Sequence, residues 1–302
     1  MSSPLTREAS IGGDAPGGTD VDGSLATPFR EAFRRWRPAP ALQATAVLHL
    51  GGALALAGLP SAWPWIAGTL IANHGLLLAG TMAPRSQLLG SNRVRLPEAA
   101  VQRREVALTF DDGPDPELTP RLLDLLDARG AKGTFFCIGE RAAAQPQLMR
   151  EIVARGHSVE SHSQRHSAAF GLYGPWRLLR EIEAAQRAIT QACGSAPRFF
   201  RAPFGTRNPM LDPTLLRLGL SYVSWTRRGL DMVDRRAPRV LRRLLTGLAA
   251  GDVLLLHDGV LTRERVREAT VLSVLPTLLE ELEKRELRSV SLRAACGDEH
   301  GA

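Results

Sequence analysis

Two adjacent carboxylates, Asp111 and Asp112, end the apolar run VALTF in the stretch TFDDGP. Neighbouring side chains in a strand point to opposite faces, so a buried pair needs two separate partners or one reacting centre that uses both. Further along, ESHSQRH holds His162 and His166 four residues apart. On a helical turn that spacing puts both imidazoles on one face, where they can grip a single metal ion. RAPFG then supplies Arg201, SWTRRGLD supplies Trp225 and Asp231, and LLLHDG supplies His257 and Asp258. Each signal is weak alone. Adjacent aspartates can simply cap a following helix, surface helices produce histidine pairs by chance, and this pair lacks the glutamate of the HExxH zinc peptidases.

The joint pattern is stronger. One carboxylate and two imidazoles form a ligand set with open positions, suited to a catalytic zinc or a similar divalent ion. The other aspartate is then free to take a proton from an attacking water, Arg201 can pair with it and orient it, and His257 can protonate a leaving group. This is an arrangement for metal-assisted acyl transfer to water.

Such residues need a scaffold that brings them together. From about residue 105 short β-rich runs alternate with helices. The strand candidates are VALTF, GTFFCI, HSVES, RFFRA, LSYVSW, DVLLLH and LRSVSL, and several of the helices between them meet stop signals at Gly130, Gly156 or Gly219. Alternation of this kind implies a parallel sheet. About seven units predict an α/β fold, a distorted (β/α) barrel, with every candidate residue at the carboxyl end of a strand.

Upstream the character changes. Residues 1–29 are rich in Gly, Ser, Thr and Asp and predict a disordered tail without the apolar core of a signal peptide. Residues 30–40 form a basic juxtamembrane segment, and 41–82 are two uncharged apolar stretches separated by a short turn. As helices these would each be about 28 Å long, close to a bilayer's hydrocarbon thickness, which predicts a two-span membrane hairpin with Trp63 and Trp65 as interfacial anchors near its turn. The alternative is a pair of buried helices packed on a soluble domain. Residues 83–104 read as a linker, 105–293 as the catalytic domain and 294–302 as a tail.

Arginines flank the hairpin on both sides, Arg30, Arg34, Arg35 and Arg37 before it and Arg85, Arg93 and Arg95 after it. For two spans this favours a cytoplasmic catalytic domain; a single span would place it outside. The net charge of +7 is nearly all arginine, scattered among glutamates without interleaved aromatics, which argues against a nucleic-acid partner. Three cysteines without close spacing give neither a disulfide framework nor a cysteine zinc site.

In this order and spacing, TFDDG, HSQRH, RAPFG, WTRRGLD and LLLHD resemble the five motifs of the NodB-like polysaccharide deacetylases, the fourth carbohydrate esterase family. The resemblance spans roughly 105–293. It implies divalent-metal hydrolysis of N-acetyl or N-formyl groups on amino sugars, in a polysaccharide or a lipid-linked glycan. By the same resemblance Asp111 is the base and Asp112, His162 and His166 hold the metal, with zinc the default and cobalt, nickel or manganese able to replace it. Arg201 positions the base, Asp231 holds that arginine, and His257 is the general acid. Pro203 and Phe204 fall at the groove wall and an oxyanion-stabilising amide, Leu255 at the acyl methyl, and Trp225 among the substrate-binding residues. Phe204 stands where the family often has tyrosine, and Met232 where it often has tryptophan, departures that bear on the substrate more than on the reaction. A catalytically inactive carbohydrate-binding protein on the same scaffold would be expected to lack a ligand or the base; all are present.

Overall fold

The structure, a computed structural model, describes residues 36–259 and 269–297; the predicted disordered tail and the arginines at 30, 34 and 35 lie outside that range. Its centre is β1 (Glu105–Asp111), buried along its whole length. A strand covered on both faces reads as a near-continuous apolar run, and VALTF does. β1 pairs in parallel with β2 (Gly133–Cys137) on one side and with β7 (Val253–His257) on the other. β3 (Ser158–Ser161), β4 (Phe199–Phe200) and β5 (Ser221–Tyr222) continue outward from β2, β6 (Arg227–Arg228) flanks β7, and β8 (Arg288–Ser289) pairs with the start of β1. The result is a half-barrel with the strand order β5-β4-β3-β2-β1-β7-β6, every ladder parallel.

The helices are α1 (Pro40–Gly58), α2 (Trp63–Met82), α3 (Glu98–Gln102), α4 (Leu118–Asp127), α5 (Gly139–Ala144), α6 (Pro146–Ala154), α7 (Pro175–Cys193), α8 (Leu211–Arg217), α9 (Ala237–Leu245), α10 (Thr270–Lys284) and α11 (Leu292–Cys296). Proline opens α6 and α7 at a position where its missing N–H costs nothing. Alternation along the central strands divides the core. Val106, Leu108 and Phe110 of β1, with Leu254 and Leu256 of β7, face outward onto Leu122, Leu126, Val274 and Leu278 of the helices. Ala107 of β1 and Val253 and Leu255 of β7 face inward, onto Phe136, Phe199, Val223 and Trp225. Thr109, Asp111 and His257 share that inward parity, and Asp111 stands opposite His257 in the ladder. The period-2 rule therefore delivers an acid and an imidazole to one end of the barrel interior.

The stretch 83–104 is not a linker. The Arg93 N–H donates to the Tyr222 carbonyl at 3.0 Å, the Ser224 N–H to the Arg93 carbonyl at 3.1 Å, and the Leu96 N–H to the Gly251 carbonyl at 2.9 Å. Residues 92–96 thus fill the gap between β5 and the β7 side, and Leu89, Leu96 and Ala100 are buried against the barrel.

The upstream helices also depart from expectation. α1 and α2 are joined by the 3₁₀ turn Pro60–Ala62 and pack antiparallel, with Thr45 and Asn73 hydrogen-bonded across at 3.1–3.2 Å. They are not core helices, since α1 has no buried residue and α2 buries only Gly80. Nor do both qualify as spans: α1 alone is long and apolar enough to cross a membrane.

Candidate active site

Asp111 leaves the end of β1 pointing inward, and the next residue would ordinarily point away. It does not, because Asp112 adopts φ 75, a left-handed turn that aspartate tolerates better than most side chains. Both carboxylates then reach one histidine: His162 Nε2 lies 3.3 Å from Asp112 Oδ1 and 3.9 Å from Asp111 Oδ2. His166 Nε2 lies 3.1 Å from the same Asp112 oxygen. The histidine pair does not sit on a helical turn. It occupies a loop after β3 in which Ser163 (φ 67) and His166 (φ 52) are both left-handed, and the His166 N–H is held by Ser163 Oγ at 3.0 Å. Phe204 (φ 57) and Leu230 (φ 61) add two more strained positions around the site. Each costs of order 1–3 kcal/mol and persists only where surrounding structure enforces it.

Arg201 is fully buried under this cluster. Its guanidinium donates to Asp111 Oδ1 at 2.6 Å, to Thr109 Oγ1 at 2.8 Å and to the Ser224 carbonyl at 2.9 Å. The Phe136 ring lies 4.0 Å from the guanidinium carbon and the Trp225 ring 5.8 Å. Trp225 is buried in the barrel interior beside Arg201, as is Leu255 in the same cluster, so both form the floor beneath the site rather than an open groove. The Arg201 carbonyl accepts from His162 Nδ1 at 2.8 Å. A carbonyl only accepts, so Nδ1 carries a proton, and Nε2 is the nitrogen that faces Asp112.

Asp231 does not hold Arg201. Its two oxygens accept from His257, at 3.0 Å from the backbone N–H and 2.9 Å from Nδ1. This leaves Nε2 of His257 for a reactant. Burial opposes the charged imidazolium, but Asp231, with Asp111 and Asp112 nearby, outweighs it and pushes the His257 pKa up to about 9. At His166 burial, reinforced by His162, pushes the pKa down to about 4, so that ring is neutral at pH 7. Burial also works against charge on His162, yet Asp111 and Asp112 raise its pKa: the pocket favours a cation at that nitrogen.

The Asp112, His162 and His166 donor atoms all lie within 4.8 Å of one another. Asp112 Oδ1 is buried and accepts no well-formed hydrogen bond. Tetrahedral zinc, with ligands at about 2.0–2.1 Å, separates its donors by roughly 3.3 Å. The 3.1 and 3.3 Å separations about Asp112 Oδ1 fit such an ion.

Asp258, quoted in LLLHDG without a role, proves structural to the site. It is fully buried, accepts from Thr119 Oγ1 at 2.7 Å, and lies so close to Gly113 that a Cβ there would collide with its carboxyl group. Burial, with the charges of Asp112 and Asp111, pushes its pKa up to about 7, against the Thr119 hydrogen bond. Thr109 is likewise a missed partner, bridging the Leu254 carbonyl at 2.7 Å and Arg201. The inward parity of Thr109 is visible in sequence; the closeness of Asp258 to Gly113 is not. Gly113→Ala is expected to destabilise the protein by about 3 kcal/mol through overpacking, measured as a lower urea midpoint at unchanged m-value.

The parallel α/β half-barrel thus carries an Asp–His–His cluster and an arginine-held carboxylate at its strand ends. The polysaccharide deacetylase family model matches residues 98–223. A chitooligosaccharide deacetylase of a Bradyrhizobium strain is 39% identical over 157 residues, 52% of this chain and 71% of the relative. A peptidoglycan-N-acetylglucosamine deacetylase of Bacillus cereus is 31% identical over 189 residues, 62% of this chain and 85% of the relative. Among solved structures, a family 4 carbohydrate esterase from Streptomyces lividans, in complex with acetate, matches at 31% identity and a TM-score of 0.56, over 63% of this chain and 95% of that one. The chain belongs to the polysaccharide deacetylase family.

Proposed function

We propose that the protein is a metal-dependent deacetylase that removes the N-acetyl group from an amino sugar of a glycan. The observation that carries the reading is the Asp112 Oδ1 atom, buried without a hydrogen bond and faced by the Nε2 atoms of His162 and His166 at 3.3 and 3.1 Å. The related enzymes are named for chitooligosaccharides and for peptidoglycan N-acetylglucosamine, which supports an N-acetylated amino sugar as the acyl donor. Bound by Asp112, His162 and His166, a divalent ion, zinc first among the candidates, would polarise the acyl oxygen and lower the pKa of water.

The chain's own residues supply the rest. Asp111, oriented by Arg201 at 2.6 Å, takes a proton from the attacking water. His257, held by Asp231 and carrying a proton at neutral pH, gives one to the departing nitrogen. A C–O bond forms, the C–N bond breaks, the sugar keeps the amine and acetate leaves. Phe204 is half-exposed with its ring 4.7 Å from His166, where it can wall a sugar ring, and Pro203 precedes it in the same 3₁₀ turn. The inactive-scaffold alternative has no missing ligand or base to stand on. Stripping the protein with a chelator should reduce acetate release from a chitooligosaccharide to background, and added Zn2+ should restore it. Turnover that survives complete metal removal would overturn the reading.

A further inference from the structure

The apolar helices and the mouth of the site are joined as one packed piece. The Arg207 N–H donates to the Thr81 carbonyl in the last turn of α2 at 3.2 Å. The buried Arg207 guanidinium donates to the Ser86 and Ser91 carbonyls at 3.1 and 2.9 Å, fixing the chain that leaves the helix. Pro84 packs on Gly205, where a Cβ would lie 2.7 Å from Pro84 and 2.8 Å from Trp225, so only glycine (φ 73) fits. The 3₁₀ turn Phe170–Leu172 closes on the same spot: Asn208 Nδ2 donates to the Gly171 and Tyr173 carbonyls at 3.1 and 3.0 Å. Phe204 stands three residues before Arg207, at most about 10 Å of chain away, and its ring lies 4.7 Å from His166. The base of α2 is therefore beside the catalytic mouth.

Three large apolar side chains are exposed there. Leu172 is 86% exposed, Phe204 53% and Trp176 49%. Of the seventeen large hydrophobic side chains exposed among the described residues, twelve lie on α1, α2 and their turn, a concentration that ordinary surface scatter does not produce. No residue from Pro40 to Met82 carries a formal charge. Val47, Leu48, Leu50, Leu54 and Leu56 fall on all sides of α1 at 100° per residue, and all are exposed. A second protein copy would cover one face; lipid covers every face. Several of the polar groups on these helices pair within them. Thr45 and Asn73 bond each other, and Nδ1 of His49 and of His74 each contacts the carbonyl four residues back at 2.8 Å. Arg85, exposed one residue past Pro84, sits where a headgroup-level cation belongs.

We propose that the catalytic mouth opens at a lipid surface, with α1 and the exposed apolar side chains of α2 against the lipid and Leu172 and Trp176 at the interface. Its substrate is accordingly an amphiphile, an N-acyl amino sugar joined to a lipid in the same bilayer, rather than a soluble glycan. This rests on the deacetylase reading above and on the same hydrolysis: water adds to the acyl carbon, the C–N bond breaks, and the lipid-linked amine stays in the membrane while the carboxylate leaves.

The test uses the full chain, loaded with zinc, in vesicles of phosphatidylcholine and phosphatidylglycerol. Two probes are compared: N-acetylglucosamine joined by a phosphodiester to an isoprenoid alcohol in the vesicles, and a free chitooligosaccharide in solution. Acetate release should favour the lipid-linked probe by roughly a hundredfold in kcat/KM. Leu172→Glu with Trp176→Glu should lower kcat/KM on that probe by about tenfold and leave the soluble probe unchanged. Equal or faster turnover of the free chitooligosaccharide, or a double variant without effect on the lipid-linked probe, overturns the proposal while the deacetylase reading stands. Failure of the protein to float with the vesicles also overturns it. Turnover of neither probe by the folded, zinc-loaded protein overturns the deacetylase reading itself.

Discussion

Asp111→Asn is expected to lower turnover of an N-acetylated glycan by roughly 10²–10⁴-fold while zinc binding is retained. Asparagine matches the shape of aspartate and keeps an oxygen for the 2.6 Å hydrogen bond from Arg201, but its amide cannot take a proton from water. The metal-site donors, Asp112, His162 and His166, are untouched. Arg201 is fully buried, and its counter-ion is lost, so stability should fall too, by about 3 kcal/mol. The two effects separate experimentally: kcat and zinc affinity are measured well below the variant's Tm, and the Tm itself reports the uncompensated arginine. His162→Ala is the matched control, expected to lose zinc binding and turnover together. Normal turnover by Asp111→Asn would remove the base from Asp111 and leave Asp112 as the carboxylate to test.

The central strands were legible because burial on both faces writes itself as continuous apolar sequence. VALTF and DVLLLH became β1 and β7, and the inward parity of Asp111 and His257 followed from their period of two. The short edge strands were legible only as regions: Phe199–Phe200 and Ser221–Tyr222 pair over two residues each, within longer runs that look strand-like throughout. The bridging of β5 to the turn before β7 by residues 92–96 was not legible, since SNRVRL has too few apolar residues to declare a strand, and its pairing is set by where Tyr222 and Gly251 happen to lie. The site showed the same division. Spacing brought His162 and His166 together correctly but suggested a helix, because four-residue spacing cannot tell a helical turn from a loop bent by two left-handed residues. Asp231 pairs with His257 and not with Arg201, a pairing decided by the loop through Leu230 rather than by any residue pattern.

That last pairing makes a second large effect testable by pH. The imidazolium of His257 is the form able to protonate a leaving nitrogen, so activity depending on it is present below its pKa and lost above it. With that pKa raised to about 9, kcat/KM should hold through neutral pH and fall as the pH climbs through 9. His257→Ala should cost roughly 10²–10⁴-fold in turnover with zinc binding kept, since the imidazole is outside the ligand set. Asp231→Asn is the more informative change. Burial alone would depress the His257 pKa, and Asp231 is the main group that outweighs it. Neutralising Asp231 should therefore pull the basic limb down by more than one pH unit, so that activity is lost near neutrality and partly recovered in mild acid. A merely structural aspartate would lower activity equally at every pH. A basic limb that stays near 9 in Asp231→Asn would assign that limb to another group and reduce Asp231 to a support for its loop.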